Sequence, residues 1–276
     1  MMTLLGKTFG SRIFADVIGN WVRYIERGFV LRQLGSYVGK HVIDLGSGEG
    51  SIGLLIARRQ NCVVGLLDLD RSRLRKGLRR SNSVKDSIFL VQADGTRIPF
   101  FDESIDIVVS VSSLEHFLSD EAALQDVYSI LKKRGRLIMT VDSLMNKHHN
   151  VIIQIPPFLL KKGLRSLVDS PSKFWQKTLQ DHAKTYRVKR YYTIDKLKRK
   201  LENVGFQVLA SEYMIGSSLA SFLYEICLCL NKIQFSRRNP LFALLFLATP
   251  FVLHCERSGF EQGYVLAVVA EKPDLA

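Results

Sequence analysis

The 276-residue sequence predicts an α/β fold built on a parallel sheet. Three observations carry that prediction. Short apolar runs alternate with helical stretches between His41 and Asp142, and no internal repeat or low-complexity tract interrupts them. In addition, 47% of the residues are hydrophobic, which excludes a disordered or fibrous chain. The length suits one large domain or two small ones, with a sizeable core.

Residues 12–34 place Ile13, Val17, Trp21, Tyr24 and Ile25 at helical spacing, which predicts a packing helix inside an N-terminal helical cap over residues 1–40. Five segments then read as strands: HVIDLG from His41, VVGLLDLD from Val63, SIFLVQAD from Ser87, IDIVVSVSS from Ile105 and GRLIMTVD from Gly135. Between them SIGLLIARRQ, RSRLRKGLRR and DEAALQDVYSILKK read as helices. Strands that alternate with helices imply βαβ units, so residues 41–142 are the expected ligand-binding core.

The regularity fails after Asp142. Residues 143–190 hold Pro156, Pro157, His148, His149 and His182 with much of the positive charge, which predicts a basic insert or lid. Order returns over residues 191–276, where Thr193 can cap a helix that Gly205 ends before another strand. Residues 217–230 and 241–255 are apolar stretches of 14 and 15 residues, short of the roughly 20 that span a bilayer. Ser218, Ser221 and Glu225 form a polar stripe on the first. The segment 217–255 therefore reads as an apolar helical insert, packed on the domain or lying in a membrane interface. GYVLAVVAEKP closes the chain as a strand.

The chain has 39 Lys and Arg against 26 Asp and Glu, a net charge of +13. That excess is local: residues 71–80 carry six basic and no acidic residues, and residues 161–200 carry thirteen basic against three acidic. Such faces suit nucleic acid, a phosphorylated small molecule or a lipid surface. Lys7, Arg12 and Asp16 interrupt the first apolar runs, so no secretory signal is expected. Cys62, Cys227, Cys229 and Cys255 lack CxxC spacing and read as buried thiols of a cytoplasmic protein, with no metal site.

The segment VIDLGSGEG, residues 42–50, is the strongest site signal. A buried strand delivers Asp44, and Gly46, Gly48 and Gly50 let the following turn approach a ligand without Cβ atoms. Gly48, Gly50 and Gly53 also satisfy the GxGxxG dinucleotide pattern, in which a helix start meets a pyrophosphate. Asp44 would repel phosphate there and accept from an ammonium group, so the loop better suits a cationic, phosphate-free ligand.

These residues resemble the class I S-adenosylmethionine-dependent methyltransferases, in particular the small-molecule group that includes quinone C-methyltransferases. DLGSGEG from Asp44 is similar to that family's first motif, GLLDLDRSRL matches its second strand end with Leu74 at the later apolar position, and IPFFDESIDIV resembles its LPF.D.SFD.V pattern. LKKRGRLIMTV resembles its LKPGG strand, with Lys133 and Arg134 in place of the proline and first glycine. The resemblance covers residues 40–142 closely and 191–210 more loosely.

It implies a Rossmann-like, doubly wound, mostly parallel seven-stranded sheet with an antiparallel last strand, and S-adenosyl-L-methionine as cofactor. Contacts are implied from Asp44, Gly46, Ser47, Gly48, Gly50, Asp68, Leu69, Ala93, Asp94, Gly95 and Ser110. Asp68 takes the ribose-binding position, with Asp70 as a second candidate, and Asp94 the adenine-binding one.

Methyl transfer asks mainly for positioning and desolvation, with a base where the acceptor must lose a proton. His116, just beyond the fourth strand, is the first catalytic candidate. Acceptor specificity is expected from the regions outside the core, where Trp21, Tyr24, Phe158, Phe174, Trp175, Tyr186 and Tyr191 mix with basic residues. That mixture suits a lipid-like acceptor at an anionic membrane surface. An RNA methyltransferase is the second reading, without a recognisable RNA-binding motif, and a nicotinamide-dependent oxidoreductase the third.

Overall fold

The computed structural model describes residues 21–34, 39–59, 62–81, 84–143, 188–216 and 260–274. The basic insert expected at 143–190 and the apolar segment 217–255 lie almost wholly outside them. So do Ile13, Val17, His148, His149, His182, Phe158, Phe174, Trp175, Tyr186, Cys227, Cys229 and Cys255.

The described elements are α1 (Trp21–Leu34), β1 (His41–Leu45), α2 (Gly53–Arg59), β2 (Val63–Asp68), α3 (Arg71–Arg80), β3 (Ile88–Gln92), β4 (Ile105–Val111), α4 (Asp120–Ile130), β5 (Leu131–Asp142), α5 (Ile194–Val204), β6 (Gln207–Met214) and β7 (Val265–Glu271). All five strands expected between His41 and Asp142 are present. The sheet has seven strands in the order β3-β2-β1-β4-β5-β7-β6. β1 runs parallel to both β2 and β4, and β7 is antiparallel to β5. Val42, Ile43, Val64, Leu66, Val108, Val109, Ile138 and Met139 are buried, the near-continuous apolar pattern of strands covered on both faces.

The chain divides into two compact units. Glu26–Asp142, Lys189–Glu212 and Val265–Ala276 form the unit that holds most of the sheet. In the other, Tyr213 bridges Phe260 in antiparallel fashion, and the Ser143 amide donates to the Tyr264 carbonyl at 3.0 Å.

Helix ends follow local chemistry. Asp70 caps α3 by accepting from the Ser72 and Arg73 amides at 2.8 and 3.3 Å. Thr193 accepts from the Lys196 amide at the start of α5, and Gly205 ends that helix with φ 112°, both as expected. On α3 only Leu74 and Gly77 are buried, so its six basic side chains face solvent, where Glu49 pairs with Lys76 and Arg80.

Two expectations need correction. Ile25 is buried, but Tyr24, placed on the same side of the N-terminal helix, is exposed; successive helical residues point about 100° apart. The helix expected to run through Lys133 stops at Ile130, because the next residues join the sheet. The Arg134 amide donates to the Lys272 carbonyl at 2.8 Å and the Lys272 amide to the Gly135 carbonyl at 2.9 Å. Arg134 adopts φ 60° to make this corner.

Candidate functional site

The order of the strands reverses between β1 and β4, and a doubly wound sheet opens a crevice beyond the strand ends at that point. The predicted site residues gather there. Gly46, Gly48 and Gly50 all have positive φ, at 71°, 56° and 70°. The Gly46 and Ser47 amides both donate to the Leu67 carbonyl at 2.9 Å, which pins the loop against β2. At Gly46 a side chain is excluded twice over: the backbone is left-handed, and an added Cβ would stand 2.4 Å from Ser113 Cβ.

Asp44 lies beneath the loop, 3% exposed, and its Oδ2 accepts from the Gly53 amide at 2.8 Å. The start of α2 is therefore already met by a carboxylate. A dinucleotide pyrophosphate would have to bind against that negative charge, which argues against the oxidoreductase reading. Asp68 links two segments: Oδ2 accepts from the Gly48 amide at 2.7 Å and Oδ1 from the Asp70 amide at 2.8 Å. Asp70 turns away to cap α3, so the structure separates the two candidate acids. Leu69 between them is 68% exposed, an apolar surface at the edge of the crevice.

After β3, Asp94 Oδ1 accepts from the Thr96 amide and hydroxyl, both at 2.9 Å. Ala93 is tied to β2 through its amide and the Asp68 carbonyl. The Phe117 ring presses on Gly95, where a Cβ would lie 2.6 Å from it, and also reaches Gly46. Ser110 is buried, its Oγ 2.6 Å from Ser113 Oγ, and Ser113 donates to the Leu45 carbonyl at 3.0 Å. Ser110 is thus linked through Ser113 to Leu45, the strand end from which the loop departs. Ser113 and Phe117, central to this packing, carried no motif signal; only their position after β4 could have found them.

His116 occupies the short turn Leu114–His116, with its amide on the Ser113 carbonyl at 3.0 Å and Nδ1 buried. Arg190 holds the same turn from outside, donating to the Phe117 and Leu118 carbonyls at 2.6 Å each. Arg190 and Lys200 also flank buried Asp120, which accepts from the Tyr192 hydroxyl at 2.8 Å. Burial opposes the Asp120 charge, but Tyr192, Lys200 and Arg190 outweigh it and hold its pKa below the usual carboxylate range. Burial, with Asp142 and Glu115 nearby, pushes the Tyr191 phenol up to about 12, so it stays protonated as a hydrogen-bond donor. Among the described residues no group of three or more His, Cys, Asp or Glu side chains could hold a metal.

The sheet order, the glycine turn after β1 and the acids after β2 and β3 define the class I S-adenosylmethionine-dependent methyltransferase fold. Residues 43–139 match the family model described as a methyltransferase domain. The chain is 27% identical over 128 residues to the ubiquinone/menaquinone biosynthesis C-methyltransferase UbiE of Blochmanniella pennsylvanica, covering 45% of this chain and 50% of that one. With UbiE of Methylococcus capsulatus it shares 28% over 178 residues, 61% of this chain and 68% of that one. It thus spans about half the length of the first of these relatives. Among solved structures, geranyl diphosphate C-methyltransferase from Streptomyces coelicolor, held with geranyl diphosphate and S-adenosyl-L-homocysteine, superposes with a TM-score of 0.60 at 11% identity, covering 90% of this chain and 77% of that one. At that identity the likeness concerns the fold.

Proposed function

We propose that this chain is an S-adenosylmethionine-dependent methyltransferase acting on a small, lipid-like or membrane-proximal acceptor. The observation that carries the proposal is the junction of the glycine loop with Asp68, beside the exposed Leu69 and Asp94. The residues fit the cofactor: Gly46, Gly48 and Gly50 turn the loop through left-handed conformations with no side chain to block a ligand's approach, and the buried Ser47 hydroxyl has no hydrogen-bond partner among the described residues. When bound, S-adenosylmethionine supplies an electrophilic methyl group on a sulfonium.

The chain's own residues then position and exclude. Asp68 would hold the ribose hydroxyls, Asp94 the adenine amino group, Leu69 the adenine face and the loop from Gly46 to Gly50 the methionine part. Phe117 and the turn Leu114–His116 wall the site on the β4 side. His116 would hold or take up the proton that the acceptor releases.

A lipid-like acceptor is supported by relatives named for ubiquinone and menaquinone biosynthesis and by a neighbour held with geranyl diphosphate. The exposed basic face of α3 supports work in the cytoplasm on an anionic membrane surface. No helix among the described residues is long and apolar enough to cross a membrane. The test is radiolabelled methyl transfer on lipid, RNA and soluble-metabolite fractions of a cell extract. Label in the lipid fraction is expected, and label lost on nuclease treatment would establish the RNA reading instead. Flotation with anionic vesicles tests the surface: protein that stays unbound at low and moderate salt would overturn it.

A further inference from the structure

Glu26 on α1 is fully buried, yet it matches none of the family's cofactor positions. Its Oε1 accepts from Thr140 Oγ1 at 2.7 Å and from the Ser112 hydroxyl. The Ser112 amide donates to the Thr140 carbonyl at 2.9 Å and lies 3.2 Å from Thr140 Oγ1. The three residues close a ring between α1, the end of β4 and the end of β5.

Ser112 has φ 45°, a left-handed conformation that costs a non-glycine residue free energy and persists only where its surroundings impose it. The ring fixes both its amide and its hydroxyl. The next residue is Ser113, whose side chain stands against Gly46 and donates to the Leu45 carbonyl. A change in the Ser112 backbone is therefore passed across one peptide to the glycine loop.

We propose that Glu26 is a positioning residue for the cofactor loop: by holding Ser112 left-handed it sets Ser113 against Gly46 and couples the seating of α1 to ligand binding. The proposal rests on the loop being the S-adenosylmethionine site. Both hydroxyls donate to one oxygen, a part that an amide oxygen can also play.

The experiment is titration with S-adenosylhomocysteine, with hydrogen exchange of residues 41–50 and 110–117, on the wild type, Glu26→Ala, Glu26→Gln, Ser112→Ala and Glu26→Ala combined with Ser112→Gly. Glu26→Ala and Ser112→Ala are expected to weaken binding about tenfold, the scale of one lost buried hydrogen bond, and to speed exchange in both segments. Glu26→Gln keeps an acceptor and should stay within about threefold of the wild type. Glycine at 112 adopts the left-handed conformation unaided, so the double variant should regain most of the affinity.

Three results would overturn the proposal: wild-type affinity in both alanine variants, Glu26→Gln as weak as Glu26→Ala, or no recovery in the double variant. If Glu26→Ala does not fold, Ser112→Ala and Glu26→Gln decide alone. A wild type that ignores S-adenosylhomocysteine defeats the cofactor reading, and the exchange of residues 110–117 in Glu26→Ala then still decides whether the ring holds the loop.

Discussion

The Gly48 amide donates to Asp68 Oδ2 at 2.7 Å, joining the glycine loop after β1 to the acid that ends β2. The other oxygen of the same carboxylate takes the Asp70 amide, so one side chain joins the glycine loop to the turn that enters α3.

Replacing Asp68 with Ala removes both bonds and the acceptor proposed above for a ribose. S-adenosylhomocysteine affinity should fall about 10- to 100-fold, since hydrogen bonds to charged groups contribute about 1.5–3 kcal/mol. Asp68→Asn, which keeps one acceptor oxygen, should fall between this variant and the wild type. Calorimetric titration checks both, and an unchanged affinity in Asp68→Ala would remove Asp68 from the site.

For His116→Ala the expected outcome is a kcat at least about 100-fold lower, the lower end of what a positioned acid or base contributes, with cofactor affinity unchanged. Steady-state kinetics with the identified acceptor measures it. An unaltered kcat would leave His116 only a packing role.

Asp120 predicts acid sensitivity. Its folded pKa is lowered, so its contribution is complete above the unfolded value of about 3.9 and is lost as the pH falls through the folded value. Asp120→Asn should cost about 2–3 kcal/mol at pH 7, because Lys200 and Arg190 lose their buried partner. Urea unfolding of both proteins should show that difference shrinking below about pH 4. A difference independent of pH would show that the pairing with Asp120 does not stabilise the fold through charge.

Arg134 stands at φ 60° where the resembling family carries a glycine. Arg134→Gly should stabilise the protein by about 0.5–1 kcal/mol, the left-handed penalty less the extra chain entropy of glycine. A lower thermal midpoint in the variant would show that the arginine side chain compensates for the strain.

The strands from His41 to Asp142 were legible because their apolar runs and the turn signals between them are local. The end of α4 was not: nothing in DEAALQDVYSILKK shows that Leu131 onward is claimed by β4 and by the chain after β7. Asp44, Asp68 and Asp94 were legible as candidates from their places at strand ends. The different jobs of Asp68 and Asp70, two residues apart in the same apolar-acidic texture, were not, because one faces the loop and the other the start of α3.

The sequence by itself determined the α/β order, the glycine turn and the acids that follow β2 and β3, since each depends on neighbours within a few residues. Only the tertiary structure decided how those pieces are held. Gly48 meets Asp68 across 20 residues, Tyr192 meets Asp120 across 72, and Glu26 meets Thr140 across 114. Hydrogen bonds of that span depend on where the sheet carries the strand ends, and the spacing of residues along the chain does not record that position.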